Sequence, residues 1–258
     1  MIDIHNHILP FMDDGANDWE QALQMAQRAV DDGIRSVIAT PHHANGKYMN
    51  EAAEVRARIA VLKDRLDTNG IDLEVLEGQE IRVYDRLLED MDRGSLLTLG
   101  GSRYLLIELP SSSIPRNAEE LIYELGIMGT IPIIAHPERC SPIAESPDRL
   151  RRLVEAGAFA QLTAQCVSGE RGSKLQKISL EMIRTGLAHF VATDAHDTSR
   201  RPFVLSQSYA CVEKEIGESA VSYLQKNAEN LVNNKEIDTQ IFNGLSKKNF
   251  FAKFFLGK

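Results

Sequence analysis

Cysteine is scarce: Cys140, Cys166 and Cys211 are the only three in 258 residues, and no two form a C-x-x-C pair. An odd, dispersed set argues against a disulfide framework and points to a reducing compartment, so a cytoplasmic location is expected. Long apolar runs are missing as well. With no basic-then-apolar leader at the start and no run of about 18 apolar residues, the body is expected to be soluble. Positive charge is in deficit, with a formal net charge of -8 and a pI near 5.4. That balance argues against nucleic acid as a partner. No repeat and no low-complexity linker divides the chain, so one domain is the default.

One stretch departs from this picture. KKNFFAKFFLGK at the C-terminus is basic and aromatic, which suits either a last helix packed on the body or a weak membrane contact. The expected division is therefore a domain over 1–235 and a tail over 236–258.

What the sequence does contain is a regular alternation. Short apolar runs rich in β-branched residues read as strands: MIDIH (1–5), SVIAT (36–40), LEVLEG (73–78), YLLIEL (104–109), TIPIIAH (130–136), AFAQLTA (158–164) and HFVATDA (189–195). Between them lie amphipathic stretches, several ending in glycine as helices often do. The alternation predicts an α/β fold with a parallel sheet covered by helices, either open or closed into a barrel.

In such folds the C-terminal strand ends share one rim, and that rim carries the active site. The conspicuous polar residues fall there: His5 and His7 after the first strand, His42 and His43 in TPHH, Glu80 in GQE, Glu108 in IELP, His136 in AHPER, and Asp194 and His196 in TDAH. His5 and His7, two apart in an extended segment, point the same way. With Asp14 these form a set of nitrogen and oxygen donors without a thiolate, which suits divalent ions of the zinc, manganese or iron type. His43 is read as structural because it faces away from His42, and His189 begins a strand at the opposite rim. Spacing alone does not choose between Asp13 and Asp14. The sixth strand offers only Gln161, Thr163 and Gln165.

The ordered motifs DIHNHILP…DDGA, ATPHH, GQEIR, IELP, AHPER and TDAH resemble the PHP superfamily of metal-dependent phosphoesterases. Within it the chain is most similar to the manganese-dependent protein-tyrosine phosphatases of bacterial capsule and exopolysaccharide systems. The resemblance implies a distorted (β/α)7 TIM-like barrel and three divalent ions, manganese favoured over iron or zinc. It assigns His5, His7, Glu80 and Asp194 to one ion, Glu80, Glu108 and His136 to a second, and Asp14, His42 and His196 to a third. It also assigns Arg139 and Arg201 to the substrate phosphate, for which guanidinium forks are suited. The implied substrate is a phosphotyrosine protein, a membrane-bound tyrosine autokinase.

Rival readings remain. CVSGER (166–171) nearly matches a cysteine-dependent phosphatase loop, yet Arg171 comes one residue early. Histidinol phosphatase is the alternative within the superfamily, and a non-catalytic scaffold the alternative outside enzymes.

Overall fold

The computed structural model describes residues 1–242; residues 243–258, which include KKNFFAKFFLGK, lie outside the described residues. The chain opens with β1 (Ile2–Asn6), α1 (Trp19–Asp31), β2 (Ser36–Ala39), β3 (His42–His43) and α2 (Ala52–Asn69). β4 (Glu74–Glu77), β5 (Glu80–Arg82), α3 (Leu87–Asp92), β6 (Tyr104–Glu108), α4 (Ala118–Ile127) and β7 (Ile131–Ala135) follow. The remainder is α5 (Ser141–Glu145), α6 (Asp148–Glu155), β8 (Phe159–Thr163), α7 (Ala164–Ser168), α8 (Ser173–Arg184), β9 (Phe190–Ala192), α9 (Leu205–Glu215) and α10 (Glu218–Val232). Among the described residues no helix is long and apolar enough to cross a membrane.

All strand pairs are parallel, in a sheet of order β1-β2-β4 and a second of order β3-β5-β6-β7-β8-β9. Helices pack on the strands, α2 on β4, α4 on β7 and α10 on β1 and β9, and the buried strands read as near-continuous apolar runs. On α1 the buried residues Ala22, Met25, Ala26 and Ala29 recur at helical spacing, and the Asp18 carboxylate caps its start by accepting from Gln21 N at 2.8 Å. Gly70 closes α2 at φ +65°, a left-handed conformation that only glycine adopts freely.

Each of the seven apolar runs forms a strand, but two elements exceed that reading. The second and third runs resume after a break, as β3 and β5. Pro41 has no N–H to donate, and a Cβ on Gly78 would stand 2.8 Å from Ile38 Cγ2. The breaks are matched: Ala39 pairs with Glu77 before them and His42 with Glu80 after them, so each strand skips the same two residues and the register survives. β1 and the end of β9 also meet. Asp194 N donates to His5 O and His7 N to Ala195 O, both at 2.8 Å.

His189 lies fully buried at the start of β9, its Nδ1 accepting from Ala160 N at 3.2 Å and its ring against Phe159. Burial lowers its pKa from 6.5 to about 4. Folding therefore favours the neutral ring, and the unfolded chain takes up the proton first. Its contribution is complete above pH 6.5 and is lost as pH falls towards 4, by about 3 kcal/mol in all. In His189→Asn the amide oxygen can still accept from Ala160. That variant is expected to lose less melting temperature than the parent between pH 7 and pH 5; equal losses would contradict this role.

Candidate metal centre

β1 and the residue that follows it deliver His5 and His7, both fully buried, and their outer ring nitrogens are already committed. His7 Nδ1 lies 2.6 Å from Asp13 Oδ2, and His5 Nδ1 lies 2.8 Å from Gln161 Oε1. Gln161 donates its amide nitrogen to Leu162 O at 2.8 Å, which leaves the oxygen to accept from His5. Both imidazoles thus carry a proton on Nδ1 and aim Nε2 inward. The two Nε2 atoms are 3.3 Å apart.

Two carboxylates close on the same point. Glu80 Oε2 lies 3.3 Å from both His5 Nε2 and His7 Nε2, and Asp194 Oδ1 lies 3.4 Å from both. Four donors held about 2.1 Å from one ion stand roughly 3.4 Å apart when tetrahedral. Among the described residues Asp194 Oδ1 and His196 Nε2 are buried without a hydrogen-bond partner. Buried polar atoms left this way are costly unless a cation satisfies them. The residues present fit a metal site.

The remaining donors surround this group. His136 Nε2 reaches Glu80 Oε1 at 2.7 Å, His42 Nδ1 reaches Glu80 Oε2 at 2.9 Å, and Asp14 Oδ1 lies 3.4 Å from His42 Nε2 and 3.5 Å from His196 Nε2. All nine residues named as ligands from the sequence fall into four overlapping groups, each with donor atoms within 4.8 Å of one another: His7, Asp14, His42, His196; His5, His7, Glu80; His5, His136, Asp194; and His42, Glu80, Glu108. The grouping shares His5, His7 and His42 between groups as well as Glu80, whereas the three ligand sets share Glu80 alone.

The charges are coupled. Burial works against ionised Glu80 and Asp194, but His5 acts on both, with His42 beside Glu80 and His7, Arg201 and Arg139 beside Asp194, holding both carboxyls well below their usual range. For His42 burial is likewise overcome, mainly by Glu80, and its pKa rises to about 9. Burial and the neighbouring His7 instead bring His196 down to about 4.

Arg139 and Arg201 both donate to Asp194 Oδ2 at 2.5 Å, so the two arginines named from the sequence converge on one carboxylate beside the donor cluster. Arg200 is exposed, and its carbonyl accepts from Gln165. His43 is buried and bonded through Nδ1 to Asn50 O at 2.8 Å, in keeping with its structural reading. Cys166 is buried in α7 and burial pushes its thiol well above the usual range, which removes it as a nucleophile.

Several supports were not legible. Asp13, which the sequence analysis leaves without a task, holds His7 and also accepts from His42 N and Gly15 N, both at 2.9 Å. Gly15 is required there because a Cβ would stand 2.1 Å from His7 O. Arg82 clamps Glu108 Oε2 through Nε at 2.9 Å and Nη2 at 2.8 Å. The one available signal for these residues was membership of a motif, DDGA for Asp13 and Gly15 and GQEIR for Arg82.

Asp194 itself has φ +53°, a left-handed conformation for a non-glycine residue. Asp3, fully buried, accepts from Thr193 N and Thr193 Oγ1, both at 2.7 Å, while Thr193 Oγ1 accepts from Ala195 N at 3.2 Å. One carboxylate thus braces both sides of the strained residue. An amide in its place would turn N–H toward a donor already there, since Asn6 Nδ2 also points at Asp3 Oδ2. Asp3→Asn is expected to weaken metal affinity about tenfold to a hundredfold, the usual loss for an outer support. Calorimetric titration checks this, and unchanged affinity would contradict it.

The family described as capsular polysaccharide synthesis, CpsB/CapC, matches residues 1–233. The chain belongs to the CpsB/CapC family. It is 45% identical over 254 residues to the tyrosine-protein phosphatase YwqE of Bacillus subtilis, covering 98% of this chain and all of that one. To CapC of Staphylococcus aureus it is 40% identical over 242 residues, covering 93% and 94% of the two chains. A crystal structure from work on YwqE and on CpsB of Streptococcus pneumoniae, described there as metal-dependent tyrosine phosphatases, matches with a TM-score of 0.92 at 45% identity. It covers 96% of this chain and 100% of the other.

Proposed function

We propose that the chain is a metal-dependent protein-tyrosine phosphatase. The observation that carries this reading is the convergence of His5, His7, Glu80 and Asp194 on one point in a chain so similar to YwqE along its whole length. Its substrate is a phosphotyrosine protein in the cytoplasm, a membrane-bound tyrosine autokinase of capsule or exopolysaccharide synthesis, for which the family match is the support. We read the catalytic domain as 1–235 with a tail over 236–258, the first residues of which run back along the body: Asp238 N donates to Asn227 Oδ1 at 3.0 Å and Phe242 N to Arg184 O at 2.9 Å.

We read the two sheets as a distorted seven-stranded barrel of the PHP type. The matched breaks in β2/β3 and β4/β5, and the bonds joining β1 to the end of β9, support that reading.

His5, His7, Glu80 and Asp194 hold one ion, Glu80, Glu108 and His136 a second, and Asp14, His42 and His196 a third, with manganese favoured over iron or zinc. Such ions supply acidified water and neutralise phosphoryl oxygens. The chain's own residues do the rest. Asp13 and Gln161 fix the tautomers and directions of His7 and His5. Arg139 and Arg201, 40% and 23% exposed at their side chains, reach solvent from Asp194 and present forked donors to a phosphate. Asp194 keeps the two guanidinium groups together before substrate arrives. The phenolate leaves with little help because its conjugate acid has a pKa of about 10.

Manganese-loaded protein assayed against phosphotyrosine peptide, phosphoserine peptide and histidinol phosphate is expected to prefer the first by at least about tenfold, the ratio given by 1.4 kcal/mol. A preference of orders of magnitude for histidinol phosphate would overturn the reading in favour of a small-molecule phosphatase.

A further inference from the structure

Beside the metal centre, on the far side of the β6 end, lies a cavity of about 470 Å³. Val83, Leu88 and Leu121 give it an apolar floor, and Asp85, Glu120 and Glu124 stand exposed around it. It adjoins the site directly: Val83 N donates to Glu108 O at 3.1 Å, and a smaller cavity on the other side of Glu108 is lined by His136 and Arg139.

The acidic residues of this cavity differ from their neighbours. Glu119 on the same helix pairs with Arg152 at 2.7 Å, and Glu89 pairs with Arg86 at 3.0 Å. Among the described residues Asp85, Glu120 and Glu124 have no cationic partner within ion-pair distance. An apolar floor under free carboxylates is complementary to a long side chain with an aliphatic stem and a cationic head. A metal ion has no use for the floor, and an apolar side chain has none for the carboxylates.

We propose that this groove is a substrate subsite for a lysine or arginine near the phosphotyrosine. The inference rests on the phosphotyrosine reading and deepens it. Neighbouring strands lie about 4.8 Å apart and an extended peptide advances about 3.3 Å per residue, so a side chain two or three residues from the phosphotyrosine spans the β6 end. The phosphate then lies by Arg139 and the cation by Glu120 and Glu124.

The full chain, loaded with manganese, is tested on phosphotyrosine peptides carrying Lys, Glu or Phe at each position from three before to three after the phosphotyrosine. 4-Nitrophenyl phosphate, which has no flanking residue, serves as reference. One position is expected to favour Lys over Glu by about tenfold in kcat/KM, with the preference shrinking at high salt. Glu120→Gln with Glu124→Gln, both exposed on α4, is expected to abolish that preference and leave 4-nitrophenyl phosphate hydrolysis unchanged. Equal rates for Lys and Glu at every position overturn the proposal, as does a Lys preference that survives the double substitution. A Phe preference that ignores the substitution overturns it too, giving the groove to an apolar side chain. If 4-nitrophenyl phosphate is hydrolysed and no phosphotyrosine peptide is, the phosphotyrosine reading fails and this proposal with it; if all peptides react alike, only this proposal fails.

Discussion

Asp194→Asn is expected to lower kcat/KM for a phosphotyrosine peptide about a thousandfold, combining a lost ligand with disordered phosphate-binding groups. Two proposed functions meet in this one side chain. Oδ1 faces His5 and His7 at 3.4 Å, and Oδ2 takes both Arg139 and Arg201 at 2.5 Å. An amide has one oxygen and one donor group, so it can serve the imidazoles or the arginines but not both. Turned one way its NH2 confronts the arginine N–H groups, and turned the other it displaces the oxygen that faces the imidazoles and would hold the ion. Metal content and phosphate affinity should therefore fall together, while the circular dichroism spectrum stays unchanged. A loss below tenfold in kcat/KM would show that Asp194 is peripheral.

Glu80→Gln is expected to cost as much, and for a different reason. Glu80 is fully buried and touches four imidazoles: His5, His7 and His42 through Oε2 and His136 through Oε1. It lies against His5 and His7 on one side and His136 on the other, which places it to bridge two ions. The amide removes the negative charge that offsets them and turns N–H groups toward ring nitrogens. Activity should drop about a thousandfold, with at least one ion lost from the protein. Metal analysis of the purified variant checks this. A variant that keeps its full metal content and activity would remove Glu80 from the centre.

The contrast between these residues and their supports explains what the sequence made legible. His5, His7, His42, Glu80, His136, Asp194 and His196 stand out because polar residues are conspicuous at the ends of apolar runs, and parallel topology sends all such ends to one rim. Glu108 is visible for the same reason. Asp13 was hidden because Asp14 beside it is chemically identical, and only the backbone path decides which carboxylate turns inward to His7. Gln161 stood out as a polar residue of the sixth strand without a task, because an amide in a strand is ordinary until its partner, 156 residues away, is placed against it. Asp3 was hidden in another way, by reading as one polar residue in an alternating strand. The breaks producing β3 and β5 went unread because Pro41 and Gly78 each look like the end of a strand, and only their matched register shows that the strands resume.

The most direct test of the account is metal reconstitution. Protein stripped with a chelator and dialysed is titrated with manganese, while bound ions are counted and hydrolysis of a phosphotyrosine peptide is followed in the same samples. The account predicts that stripped protein is inactive, that activity returns only as ions fill the histidine and carboxylate cluster, and that binding saturates at about three per chain, as the three proposed ligand sets require. Full activity in stripped protein, or saturating metal binding that restores none, would contradict it.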